Sequence, residues 1–211
     1  MSIRTIVYVD AFNLYYGALK DKPYNCKWLD LLALSRAMLR PENNIVRIKY
    51  FTAKVLPRPN DPGAPTRQHL YLRALRTIQA DIVLGRFLSH RVKMHLANPN
   101  PGVNPFVEVI RTDEKGSDVN LASYLLLDSV RNQMDCAVLI TGDSDLTTPV
   151  RMARKEFHKT VGVLNPQKQD CKTLRAAASF YAHIRASVLA ASQFPDELTD
   201  AAGTFRKPAE W

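Results

Sequence analysis

Strands and helices alternate along this chain, and that alternation constrains its fold more than any other property. Ile3 to Val9, Asn44 to Ala53, Asp81 to Phe87, Cys136 to Thr141 and Thr160 to Leu164 are short runs of β formers. Between them Phe12 to Lys20, Leu29 to Leu39, Thr66 to Ala80, Ser117 to Asn132 and Asp145 to Phe157 carry helical apolar stripes. Strands separated by helices form right-handed crossovers, so the sheet is parallel and both of its faces are covered. The pattern predicts a three-layer α/β domain over residues 1–192.

Two segments interrupt the alternation. Residues 54–65 contain four prolines and read as a loop. Residues 86–111 read as an insertion, two alternating arms flanking a Pro/Asn/Gly-rich turn at 98–105. Leu174 to Ser192 is Ala-rich and reads as helix, unbroken or divided near Tyr181 to Ile184, and 193–211 reads as a loose tail.

The net charge of +9 favours a polyanionic partner. Three well-separated cysteines and five unclustered histidines leave no zinc-ligand spacing and no disulfide framework. No uninterrupted apolar span approaches the roughly 18 residues of a membrane helix. A soluble, cytoplasmic protein without a membrane partner is expected.

The chemistry concentrates at strand ends. Val138 to Ile140 runs into Thr141-Gly142-Asp143-Ser144-Asp145, and the first strand ends at Asp10. Carboxyl ends of parallel strands are where open α/β sheets bind ligands. Asp118 opens the helix before the fourth strand and can face the same crevice. Four carboxylates in one small volume repel one another unless a cation or protons neutralise them. Ligands that are all hard oxygens favour Mg²⁺ or Mn²⁺ over zinc. Such an ion beside a basic surface suits a phosphodiester substrate. Asn13, Thr141 and Ser144 stand where they can hold the carboxylates or a water. Three of the acids also have a structural reading, Asp10 as a helix cap and Asp118 and Asp145 as first-turn charges on a helix dipole, whereas Asp143 at the exposed strand tip is harder to explain structurally. Arg86, Arg91 and Lys93, with Phe87, offer a surface for a phosphate backbone and a stacked base, or alternatively a charge-protected strand edge.

Val7-Tyr8-Val9-Asp10-Ala11-Phe12-Asn13-Leu14, Lys115-Gly116-Ser117-Asp118-Val119-Asn120-Leu121 and Ile140-Thr141-Gly142-Asp143-Ser144-Asp145-Leu146 together resemble the NYN domain, a branch of the PIN-like metal-dependent ribonucleases. The resemblance runs from about Ile3 to Leu164, in the family's order. It implies a Rossmann-like sheet and a Mg²⁺- or Mn²⁺-dependent centre at Asp10, Asp118, Asp143 and Asp145. That centre would cleave RNA to leave a 5′-phosphate and a 3′-hydroxyl. Ala11 stands where family members often have Gly or Asn. The resemblance says nothing about the proline loop or the insertion.

The competing reading is a non-catalytic RNA-binding or regulatory module on the same fold. A phosphatase of the haloacid-dehalogenase type is disfavoured, because Asp10-Ala11-Phe12 lacks the second aspartate of its D-x-D pattern. Neither glycine-rich nucleotide motif is present. A homodimer through the apolar C-terminal segment and a regulatory protein partner both stay open.

Overall fold

The computed structural model describes residues 2–100, 102 and 104–211. Of the loop expected at 98–105, Pro101 and Val103 lie outside the described residues. Strands β1 (Ile3–Asp10), β2 (Asn43–Thr52), β3 (Asp81–Leu84), β6 (Cys136–Ile140), β7 (Thr160–Asn165) and β8 (Phe180–His183) form one sheet in the order β3-β2-β1-β6-β7-β8. Every neighbouring pair in it is parallel. The chain builds outward from β1 to β3 on one side and from β6 to β8 on the other. The order therefore reverses between β1 and β6, the switch point at which such sheets open a crevice.

Helices cover both faces. On one lie α1 (Ala11–Leu14) with the π-helical turn Tyr15–Leu19, α2 (Leu31–Met38), α3 (Ala64–Thr77) and α7 (Ala186–Ala191), around the buried side chains of Leu14, Trp28, Leu34, Leu75 and Leu189. On the other lie α4 (Ser117–Val130), α5 (Thr147–Lys155) and α6 (Lys172–Ala177), around Tyr8, Leu121, Leu125, Val150 and Leu174. The central strands are buried on both faces, as parallel strands are: Ile6 to Val9 and Cys136 to Ile140 are at most 2% exposed. The second core also holds an ion pair, Lys49 Nζ to Asp128 Oδ2 at 2.6 Å. Tyr8 donates its hydroxyl to the same oxygen at 2.6 Å.

The insertion is a long antiparallel ribbon, β4 (Arg86–His95) with β5 (Phe106–Lys115). Three expectations are corrected. Leu174 to Ser192 is divided by a strand as well as broken: β8 adds to the edge of β7, Gly162 pairing with Phe180 and Asn165 with His183. Sheet pairing overrides the helical preference of the alanines around it. The helix expected from Asp145 begins instead with a 3-10 turn, Ser144–Leu146. Residues 193–211 are not a loose tail. Strands β9 (Glu197–Asp200) and β10 (Gly203–Arg206) form a hairpin, with Phe194 and Phe205 buried. Phe194, Phe205 and Trp211 set their rings 6.0–6.4 Å from that of Trp28. Trp28 Nε1 donates to the Pro195 carbonyl at 2.8 Å, and Arg73 pairs with Asp200 at 2.6 Å. A few aromatic anchors hold a segment whose outward residues are polar. No helix is long and apolar enough to cross a membrane among the described residues.

Candidate metal centre

Asp10 ends β1 and begins α1, because its carboxylate caps the helix: Oδ1 accepts from the Asn13 N–H at 3.0 Å. Its other oxygen, Oδ2, accepts from the buried hydroxyl of Thr141 at 3.0 Å. The side chain is thereby fixed at the end of the sheet, 5% exposed. Burial raises its pKa to about 7, against the opposing hydrogen bonds of Asn13 and Thr141. The charges of Asp118 and Asp143 contribute to that rise.

Asp143 leaves β6 through Gly142 and caps the 3-10 turn, accepting the Asp145 N–H on Oδ1 at 3.0 Å. Its own N–H donates to Thr141 Oγ1 at 3.1 Å, so one threonine ties the two aspartates together. Gly142 is dictated by close approach. A Cβ there would lie 2.5 Å from Asn165 Oδ1 and 2.8 Å from Gln167 Cγ. Its N–H donates to Asn13 Oδ1 at 2.8 Å, and Gln167 Nε2 donates to the same oxygen at 3.2 Å.

Asp118 arrives from a different direction. Gly116 takes φ +102°, a left-handed turn that swings the chain from β5 into α4. Glu114 Oε1 then caps the helix, accepting from Ser117 N at 3.1 Å and Ser117 Oγ at 2.8 Å. Asp118, in the first turn, is half-buried. Its pKa is raised, first by burial and then by the charges of Asp143, Glu114 and Asp145.

Asp10, Asp118 and Asp143 each present an oxygen within 4.8 Å of the other two. Asp145 is outside this convergence: it is exposed on the 3-10 turn, and its contribution is a backbone N–H to Asp143 and a charge felt by Asp118. Ser144 is exposed beside it. Thr141 is a direct partner of the acids, whereas Asn13 secures the loop that carries Asp143 rather than touching the cluster through its side chain. Glu114, Asn165 and Gln167 were not singled out in the sequence. Glu114 lies three residues before Ser117, at a spacing that suits a cap. Gln167 stands just past the Asn165-Pro166 strand end.

The three acids suit a hard divalent cation. Their donors are all carboxylate oxygens, drawn from three separate segments onto one point, and two of them resist ionisation without a counter-charge. The expected RNA-contact residues do not all share one face. Cross-strand register sets Phe87, Arg91 and Lys93 on one face of the ribbon and Arg86 on the other. Arg91 lies 3.8 Å from Glu108.

A parallel sheet with carboxylates gathered at its switch point is the architecture of a PIN-like, Rossmann-like domain. The chain belongs to the NYN domain family, whose pattern matches residues 4–185. It is 30% identical to the 6-hydroxy-3-succinoylpyridine 3-monooxygenase HspA of Pseudomonas putida, over 99% of this chain and 75% of that protein. It also resembles the crystal structure of a protein of unknown function from Vibrio parahaemolyticus. That similarity has a TM-score of 0.56 at 17% identity and covers 88% of this chain and 94% of the other.

Proposed function

We propose that this protein is a divalent-metal-dependent ribonuclease that hydrolyses RNA phosphodiesters at Asp10, Asp118 and Asp143. The observation that carries this reading is the convergence of three carboxylate oxygens within 4.8 Å at the sheet's switch point. Membership of a nuclease-like family and the net charge of +9 support it. When bound, Mg²⁺ or Mn²⁺ would supply Lewis-acid polarisation of the phosphate and a water more acidic than bulk water. The three aspartates hold that charge. Thr141 keeps the Asp10 carboxylate turned toward the centre and fixes the backbone of Asp143. Asn13 and Gln167 hold Gly142 in place, so that Asp143 stays aligned. Asp145 adds negative potential from the rim, close enough to weigh on Asp118. Hydrolysis on this scheme leaves a 5′-phosphate and a 3′-hydroxyl.

The test uses end-labelled single-stranded RNA with the wild type and Asp143→Asn, with Mn²⁺ or with a chelator. Cleavage by the wild type with Mn²⁺ alone supports the reading. Equal cleavage by both proteins, or under chelation, rejects it, and binding without cleavage by the wild type favours a regulatory RNA-binding module. One observation favours a second enzymatic reading, the 30% identity to a protein named as a 6-hydroxy-3-succinoylpyridine monooxygenase. Loss of 6-hydroxy-3-succinoylpyridine on aerobic incubation with the protein and a two-electron reductant such as NADH, monitored by chromatography, would decide for it.

A further inference from the structure

We propose that the groove between α5 and α6 is a track for single-stranded RNA leading away from the carboxylate centre, with Arg151 and Lys155 holding its phosphates. The inference rests on the nucleic-acid reading above and assigns the strand a path.

The groove begins beside the Ser144–Leu146 turn that follows Asp143. Helices α5 and α6 follow adjacent parallel strands, so both start at the carboxyl end of the sheet and run the same way. At that end Thr147 Oγ1 lies 3.2 Å from Thr173 Oγ1 and donates to the Ser144 carbonyl at 2.6 Å. The mouth of the groove is thus pinned to the turn that follows Asp143. At the far end Arg154 Nη1 ties the helices together, donating to the carbonyls of Ala177 at 2.5 Å and Ala178 at 3.0 Å. Between these ties lies a cavity of about 360 Å³, lined by Arg151, Arg154, Lys155, Thr173, Ala176 and Ala177.

The lining decides the occupant. It contains three cations and no acid. Arg154 is committed to the two carbonyls, but Arg151 and Lys155 are exposed and pair with no carboxylate among the described residues. They stand four residues apart, on one face of the helix and about 6 Å apart along its axis, where they can engage neighbouring phosphates of one strand. Measured from Thr147, they lie about 6 and 12 Å along that axis from the mouth. Ala176 and Ala177 leave the opposite wall low.

The ribbon of β4 and β5 is a poorer track, because carboxylates interrupt its cations. Lys93 stands directly opposite Glu108, which also approaches Arg91, and Arg111 pairs with Asp113 at 2.9 Å.

The test is fluorescence anisotropy of a labelled single-stranded RNA in chelator, so that binding is read without turnover. Arg151→Ser/Lys155→Ser is expected to weaken binding about tenfold near 0.1 M salt. Removing two phosphate contacts should also flatten the slope of log K against log salt by about 1.4. The charge-conserving Arg151→Lys/Lys155→Arg should restore the slope, and circular dichroism checks that both variants fold. Arg91→Ser/Lys93→Ser should lose less. An unchanged slope in the groove variant, or an equal or greater loss in the ribbon variant, overturns the proposal. Absence of cleavage by the wild type would reject the nuclease reading while leaving this binding result intact.

Discussion

Replacing Asp10 by Asn should stabilise the metal-free protein at alkaline pH. The Asp10 carboxyl is held at about 7 in the native protein against an ordinary value of 3.8, chiefly by burial. Between those values the native state keeps a proton that the unfolded chain has released. Stability from the protonated form is therefore fully present below pH 3.8 and is lost as pH rises through 7. At 1.36 kcal/mol for each pH unit, the loss reaches about 4 kcal/mol by pH 8. Asparagine carries no such penalty. It offers one acceptor oxygen where the carboxylate serves both Asn13 and Thr141, which costs about 1 kcal/mol. The net gain at pH 8 is about 3 kcal/mol, or roughly 6–12 °C in Tm for a domain of this size. It should vanish near pH 4. Thermal unfolding in chelator from pH 4 to 8 measures it. Mn²⁺ should then raise the Tm of the wild type and not of the variant. A variant that is less stable than the wild type at pH 8 by as much as at pH 4 refutes the argument.

Further outcomes follow from the same structure. Lys49→Met strands Asp128 in the core and should cost about 3–5 kcal/mol in urea unfolding, and Lys49→Met/Asp128→Leu should recover most of it. Phe205→Ala should cost about 3–4 kcal/mol, since the ring is buried against Trp28 and carries Arg73 at 4.1 Å; a loose tail would cost nothing. Gly142→Ala drives a methyl group against Asn165 and Gln167 and should lower cleavage at least tenfold, by displacing Asp143. Full activity in that variant would show that the turn is not rigid.

The parallel sheet was legible because its strands are apolar runs bounded by helical stripes, and residues such as Val7, Val138 and Val163 have no polar side to confuse the pattern. β8 was not, because Phe180 to His183 sits among alanines and becomes a strand only through the edge of β7. The terminal hairpin was hidden for a related reason: only Leu198 and Phe205 of its two strands pack inward, among polar neighbours, and the partner Trp28 is far away in sequence. At the centre, the acids at Asp10, Asp118 and Asp143 could be read from strand ends and a helix start. Asp145 follows the same sequence logic, but a 3-10 turn carries it to the rim. Asn165 and Gln167 act through contacts that only the folded chain creates, whereas Glu114 is a local cap three residues before Ser117. The ribbon's cations looked like one surface in sequence, but strand alternation sends Arg86 to the opposite face from Arg91 and Lys93.

The central claim is that three carboxylates share a divalent cation. Titration of the protein with Mn²⁺, with free ion followed by electron paramagnetic resonance, tests it without presuming a substrate. Saturable binding is expected of the wild type, lost or weakened at least tenfold in both Asp118→Asn and Asp143→Asn. Binding that survives unchanged in either variant would contradict it.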